Sequence, residues 1–543
     1  MTVKQMSKSI ILVTSLFSML LPIVTNAEEK IFIKEYTYAA SDLDSKVSSR
    51  TIALEQVKRL VLEELGTYLK SETEVKNFQL TTDQLTAFTA GFIKISILDE
   101  KWDGRTYTIK AQIIADPKEV TRSIEKVRAD EAMMRMLEET NRKADQSLKE
   151  IERLRSELET MKAGDQQQNE YSKAVNNLSS KEWFDKGYAL IIAGNFQEAV
   201  PLYLKVIESE PNNVAGHIHL GWAYNGMNRF KEALAEINKA LVLDPTNTQA
   251  YYQRAWAYNG LNNFQEAKKD MDTALKKNPN DSYLYYMRGW SYNGLANYVL
   301  AKNDLDTALK LNPDNAYFYY MRGWAFNGLN RFQDAKNDLD TALKMSPDNA
   351  YFYYMRGWAY NGLNRFQDAK NDLDIALNLN SNNAWFYYMH AWACNGLGNF
   401  FQGKKDMDIA LQMVNNVGPF YHTRGWSYNG LENFQAAVED FNKALQLNPN
   451  NKYTYLLMGW AHNGLGEIDN AEQDFRKTLE IDPQYADGYY NLAIFYNIRV
   501  SQGKALKSLA KAISLNPGLK QNAKTDSYFQ NLYNDEGFKK LVY

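Results

Sequence analysis

The sequence predicts a mainly α protein: a solenoid of about ten helix–turn–helix units, preceded by a small α+β domain and a coiled-coil-like helix. Three observations predict it. Eight tryptophans fall 34 residues apart, at Trp222, Trp256, Trp290, Trp324, Trp358, Trp392, Trp426 and Trp460. Prolines keep the same period at Pro211, Pro245, Pro279, Pro313 and Pro347; Ser381 and Asn415 stand in before Pro449, Pro483 and Pro517 resume it. Near the N-terminus, Asp103-Gly104 separates two alternating apolar runs, the signature of a tight hairpin turn. A fixed period of this length marks stacked helix pairs, because one pair cannot bury its apolar face alone.

Composition narrows the function. The chain has 543 residues, enough for several domains or one long array. Its net charge of -3 offers no electrostatic case for nucleic acid or an anionic membrane. Cys394 is the only cysteine, so no intrachain disulfide forms and packing must supply stability.

Residues 1–27 read as a signal peptide. Lys4 and Lys8 give a basic start, Ile10 to Val24 is mostly apolar, and Thr25-Asn26-Ala27 offers small residues for cleavage near Ala27. A permanent anchor is the alternative, but the apolar stretch is short for a spanning helix. The expectation is an exported protein, periplasmic or secreted, with no stable membrane span after cleavage and no lipid-bearing cysteine.

Residues 28–118 read as the small α+β domain. Ile31 to Tyr38 forms a strand, and Ser48 to Lys70 an amphipathic helix with Ile52, Val57, Leu60, Val61 and Leu65 on one side. Phe92–Trp102 and Arg105–Ala115 form the hairpin, with Ile93, Ile95 and Ile97 alternating in one strand and Tyr107, Ile109 and Ala111 in the other. This helix, the run TTDQLTAFTAGFI and the closing hairpin resemble the small α+β domain of exported lipoproteins and flagellar-assembly envelope proteins. The resemblance implies an envelope location and a docking role.

Residues 119–163 are highly charged and read as a coiled coil or a helical spacer. Val127, Met134, Asn141 and Leu148 fall in one heptad column; Leu137, Ala144, Ile151 and Leu158 fall in the other. As a coil the segment makes a homo-oligomer; as a single solvated helix it only spaces two domains. Residues 164–179, opening Gly164-Asp165-Gln166-Gln167-Gln168-Asn169, read as a flexible linker.

The array spans 180–520. One unit, Ala316 to Asn349, reads AYFYYMRGWAFNGLNRFQDAKNDLDTALKMSPDN. Its first half is one helix, Gly-Leu-Asn-Arg is the turn, and its second half is another helix. This unit resembles the tetratricopeptide repeat (TPR), with Gly323, Phe326, Phe332, Ala335, Leu339, Ala342 and Pro347 at the family's packing positions. Gly323 and Ala335 are small enough for close approach of the two helices, and Ala342 for docking of the next repeat. The resemblance implies a right-handed TPR superhelix with a concave groove lined by first helices. Residues 521–543 read as a capping helix that shields the last apolar face.

The resemblance also places the groove at the second, fifth, ninth, twelfth and thirteenth positions of each unit. These are Tyr317, Tyr320, Trp324, Asn327 and Gly328 in one repeat, and Tyr351, Tyr354, Trp358, Asn361 and Gly362 in the next. Asparagine recurs at the twelfth as Asn225, Asn259, Asn293, Asn327, Asn361, Asn395, Asn429 and Asn463. Tyr283, Tyr286, Trp385, Tyr388 and Tyr453 add to the aromatic surface. Two readings stand. In one, tryptophans pack on neighbouring repeats and asparagines cap backbone groups. In the other, the ladder is an open face for a regular ligand, since stiff aromatics give contact area and each amide both donates and accepts. The partner is then a protein or extended peptide, or alternatively a glycan chain in export or wall assembly. Arginine at the seventh position packs its stem and hydrogen-bonds a helix end.

Little in the sequence suggests chemistry. His217, His219, His390, His422 and His462 read as ordinary variants of repeat positions, and Cys394 as a buried, inert thiol. Asp338 and Asp340 read as acids on a solvated face, with Asp340 and Lys344 at pair spacing. No phosphate loop or nucleophile set is apparent, so no enzyme, cofactor or metal is expected.

Overall fold

The computed structural model describes residues 30–41, 44–72, 95–115, 120, 146–154, 165–192 and 194–543. The expected signal peptide, most of the expected coil and the TTDQLTAFTAGFI run lie outside them. The chain falls into two units, Met1–Asp314 and Asn315–Tyr543.

In the first unit, alternation along β3 (Thr106–Ala115) turns Tyr107, Ile109, Ala111 and Ile113 to one buried face. The strand lies at the centre of an antiparallel sheet, between β1 (Lys30–Ala39) and β2 (Ile95–Trp102). Helix α1 (Lys46–Glu72) covers that face with Ile52, Val57, Val61 and Leu65, as its periodicity predicts. At the hairpin turn Gly104 takes a φ of 93°, and the Asp103 carboxylate accepts the Arg105 and Thr106 amides at 2.8 and 2.6 Å. Alternation in β2 fails, because a bulge between Ile97 and Asp99 shifts the register and leaves both Ile97 and Leu98 exposed.

The expected linker over 164–179 is not found in the described residues. Asp165–Ile192 is one continuous helix, α2. Glutamine is a good helix former, and past Gly164 no breaker interrupts the run until Gly187. Tyr171, Ala174 and Leu178 of α2 pack into the small domain's core, together with Leu148, Ile151 and Leu154 from residues 146–154. Leu148 and Ile151, expected to face a second chain, are therefore buried against their own domain, which removes two rungs of the proposed coil. An ion pair ties α2 to α1: Lys181 Nζ lies 2.9 Å from Glu55 and 3.1 Å from Asp185, with Lys181 and Glu55 both buried.

Ten helix pairs follow, as the period predicts. Four belong to the first unit, beginning with α2 and Phe196–Ser209 and ending with Ser282–Gly294 and Tyr298–Leu311. Six belong to the second, from Ala316–Gly328 and Phe332–Met345 to Ala486–Ile498 and Gln502–Leu515. Positions are counted from the first residue of each first helix, Ala316 being position 1. Position 34 is usually asparagine because it caps the next first helix; Asn349 Oδ1 accepts the Tyr351 amide at 3.0 Å. Position 15 links the two helices and is left-handed throughout: Asn330 has φ 57° and Gly466 φ 79°. Asparagine and glycine tolerate that conformation at less cost than a β-branched residue.

The expected capping helix over 521–543 is three short pieces: Leu519–Thr525, a 3-10 turn at Ser527–Leu532, and Glu536–Val542. Asp526 and Asp535 break the run, each accepting an amide at the start of the next piece. Phe529, Leu532, Phe538 and Val542 still close the last apolar face, beside Ile494, Leu509 and Ile513. No described helix is long and apolar enough to cross a membrane.

Val500 occupies position 15 of the last repeat with φ 57° and is 88% exposed, so its side chain gains nothing from packing there. Replacing it with asparagine should stabilise the chain by about 1 kcal/mol. A urea titration of the C-terminal repeats would read this as a higher midpoint; an unchanged or lower one would show the turn to be unstrained.

Candidate binding surface

From the second repeat onward the first helix is 13 residues long, held at one end in most repeats by an asparagine or aspartate cap and at the other by the left-handed turn. That frame fixes where positions 2, 5, 9 and 12 point. In the second unit Tyr317, Tyr320, Trp324, Tyr351, Tyr354, Trp358, Tyr388, Trp392, Trp426 and Trp460 are half-buried. Trp385 and Tyr453 are exposed, at 45% and 52%. In the first unit Trp222, Trp256 and Tyr286 are buried, Trp290 is half-buried and Tyr283 exposed. The fully open ladder is therefore corrected: Trp222, Trp256 and Tyr286 belong to the packing, and other rings keep only an edge in solvent. Tyr320, Trp324, Tyr354 and Trp358 flank one cluster built on Leu339 and Met355, so each ring seals a seam between repeats.

The asparagines go further inside. Asn225, Asn259, Asn293, Asn327, Asn361 and Asn395 are buried; Asn429 and Asn463 are half-buried. Their amides reach the next repeat's backbone: Asn327 Nδ2 donates to Met355 O at 3.0 Å, Asn361 to Met389 O at 3.1 Å, and Asn429 to Leu457 O at 2.8 Å. The packing reading of Asn327 and its equivalents thus replaces the groove reading. The acceptor side depends on position 10 of the next repeat. Where that is serine, its hydroxyl donates to the amide oxygen, as Ser291 does to Asn259 (3.0 Å) and Ser427 to Asn395 (2.9 Å). Where it is alanine, as at Ala359, the buried Oδ1 of Asn327 has no partner. Gly362, also expected in the groove, lies under the preceding repeat's Phe332; a Cβ there would fall 2.5 Å from the ring.

The seventh-position arginines hydrogen-bond aspartates, not helix ends. Arg356 grips Asp372 with Nε and Nη2 at 2.7 and 2.8 Å, and Nη1 reaches back to Asp340 of the preceding repeat at 2.7 Å. Lys336 completes that aspartate at 2.5 Å. Arg288 and Arg424 repeat the arrangement. Asp338, expected on a solvated face, is buried and held by Arg322, and Asp340 pairs with Lys336 and Arg356 in place of Lys344. The signal was present in the sequence: Arg288, Arg322, Arg356 and Arg424 each stand 16 residues before one aspartate and 16 after another.

The histidines divide by partner. His390 replaces the arginine, with Nδ1 2.6 Å from Asp406 and Nε2 3.1 Å from Asp374. Burial disfavours its cation, but the bond to Asp406 and the Cys394 thiol outweigh that and raise it to about 10. His219 lies among the rings of Phe184, Tyr188, Tyr203 and Trp222, and burial lowers it to about 4. Its Nδ1 lies 2.9 Å from Ala215 O, and its Nε2 has no partner.

Residues 190–241, 228–290, 286–335, 328–373, 419–451 and 453–485 match models of the tetratricopeptide repeat. Similar solved structures include a tetratricopeptide repeat protein from Parabacteroides merdae ATCC 43184, at 21% identity and TM-score 0.38, covering 46% of this chain and 98% of that one. YrrB, described as a TPR protein with an unusual peptide-binding site, matches at 26% identity and TM-score 0.26, covering 33% and 92%. MamA from Desulfovibrio magneticus RS-1 matches at 16% identity and TM-score 0.28, covering 32% and 97%. No curated protein matches the chain.

Ala359→Ser should give Asn327 its missing donor and raise stability by about 1 kcal/mol. A lower denaturation midpoint would show the site too tight for a hydroxyl. His219 should make the first unit acid-sensitive. Its folded pKa lies below the unfolded value near 6.5, so the unfolded chain takes the proton first, and stability falls as pH drops from about 6.5 to about 4. The loss should approach roughly 3 kcal/mol. His219→Phe should flatten that part of the pH profile; an identical slope in the variant would place the titrating group elsewhere.

Proposed function

The chain is a tetratricopeptide repeat protein, and from that premise we propose that it is a non-enzymatic scaffold whose first helices hold an extended segment of a protein partner. One observation carries this reading: the division between side chains buried in the packing and aromatic rings left partly or largely exposed. Position-12 amides, position-7 guanidinium groups and position-13 glycines are committed to neighbouring repeats. At positions 2 and 9, Trp385 and Tyr453 are exposed and Trp324, Trp358, Trp392, Trp426 and Trp460 are half-buried. Rings of this kind supply large contact area with little side-chain entropy to lose. With a net charge of -3, the protein has no excess of positive charge to favour a polyanion.

Export belongs to the same proposal. Lys4, Lys8, the apolar run Ile10 to Val24 and the small residues before Glu28 support delivery across a membrane, which would make the partner an envelope or secreted protein. A chain recovered from expressing cells should begin at Glu28; an intact Met1 on the whole population would refute export.

Binding is tested by acrylamide quenching of tryptophan fluorescence against a panel of extended, low-charge peptides and linear polysaccharides. Peptides should protect the tryptophans, and Trp385→Ala should weaken the best of them roughly 30-fold. Protection by polysaccharide alone would replace the peptide reading with glycan binding. Protection by neither would move the search away from these helices.

A further inference from the structure

In five repeats position 7 is arginine and position 11 an aromatic ring, and the guanidinium lies over the ring. Arg356 is 5.9 Å from the Tyr360 centroid, and Arg424 5.9 Å from Tyr428. The repeat at 384–417 changes both members at once, to His390 and Cys394. Four residues apart on one helix, the two share a face. Asp406 on the second helix is unchanged; its equivalents elsewhere hold the arginine. A nitrogen, a sulfur and a carboxylate oxygen therefore meet in this repeat, and a lone thiol is not the basis of the site.

The three donor atoms lie within 4.8 Å of one another. Cys394 Sγ is 3.8 Å from His390 Nδ1 and 3.9 Å from Nε2, and Nδ1 is 2.6 Å from Asp406 Oδ2. All three residues are buried, at 4%, 0% and 2% exposure. Gln402, at a position where no other repeat has glutamine, donates to Asp406 Oδ1 at 2.8 Å and fixes the carboxylate from behind. Asp374, beside Nε2 with its side chain 45% exposed, joins the cluster to solvent and gives an ion a way in.

The geometry points to a binding site for a zinc-class divalent cation, held by His390, Cys394 and Asp406. Imidazole, thiolate and carboxylate together form the donor set that such borderline-soft ions take. Nitrogen and sulfur ligands around zinc lie about 3.5 Å apart, given bonds of about 2.1 and 2.3 Å. The separation of Cys394 from the His390 ring needs to close by only a few tenths of an ångström, while the 2.6 Å contact between His390 and Asp406 must open to admit the ion. A metal takes its ligands as thiolate and neutral imidazole, so affinity rises with pH. The competing reading is that His390 simply replaces arginine as the cation between Asp374 and Asp406, which requires no metal.

Titration of the full chain, reduced and stripped with chelator, separates the two. Cobalt(II) should bind at one equivalent and give a thiolate-to-cobalt charge-transfer band in the near ultraviolet, and zinc(II) should displace it. His390→Arg and Cys394→Tyr restore the residues of the flanking repeats, so both variants should keep native helicity. Each should lose the band and weaken zinc binding by at least ~100-fold. Absence of stoichiometric binding to the folded chain would overturn the proposal. So would equal binding by the folded His390→Arg protein.

Discussion

The contact on which the array depends is a phenylalanine ring laid flat on a glycine. Position 17 of one repeat packs on position 13 of the next first helix, as Phe332 does on Gly362, Phe366 on Gly396 and Phe434 on Gly464. A Cβ at any of these glycines would fall 2.5 or 2.6 Å from the ring. The ring therefore sets how closely successive repeats approach. That spacing lets the position-12 amide reach a backbone carbonyl 28 residues ahead and the position-7 arginine span aspartates of two repeats. Neither bond exists within an isolated repeat, so each repeat is completed by its neighbours.

This dependence explains why so polar a seam is tolerated. Arg356 meets one carboxylate with a two-point fork and a second with its remaining nitrogen, and a lysine completes the second acid. Removing one member would leave a partly buried charge unpaired, which costs more than the pair itself contributes. The seam thus acts as a register lock, because sliding one helix past another would separate every pair at once. The amide rungs are less complete. Serine at position 10 satisfies the asparagine oxygen in some repeats, and alanine leaves it bare in others.

Sequence reading went as far as periodicity carries. The helix pairs and the small domain's strands follow from spacing, because backbone geometry forces spacing. The binding surface was less legible, for a physical reason. A residue that repeats every 34 positions repeats whether it binds a ligand or its neighbour, so Asn327 and Trp358 look alike in sequence while one is buried and the other keeps an edge. The acids misled similarly: Asp338 and Asp340 alternate like solvated charges, but Arg322 on the preceding helix holds Asp338 and Arg356 on the following one holds Asp340. Residues 165–179 were misread because polar composition suggests a linker, whereas a helix needs only good formers and one packed face. The cap was misread at Asp526 and Asp535, which start new turns and end the helix.

Near-identity among repeats also makes departures informative. Where ten units share one packing scheme, a change at a single exposed position leaves that scheme intact, whereas a change at two touching interior positions must be settled between them. The repeat at 384–417 carries such a pair, His390 and Cys394, and adjusts its surroundings too. Gly403 stands where other repeats have alanine, and its missing Cβ leaves room that the Asn395 amide fills, since an added methyl would fall 2.1 Å from Asn395 Oδ1. The residues around the pair have therefore repacked to suit it, and the repeat still stacks on both neighbours, with Phe366 on Gly396 and Phe400 on Gly430. An array can thus carry a chemically distinct repeat without losing register, because the ring-on-glycine contact lies on a different part of the helix from the arginine seam.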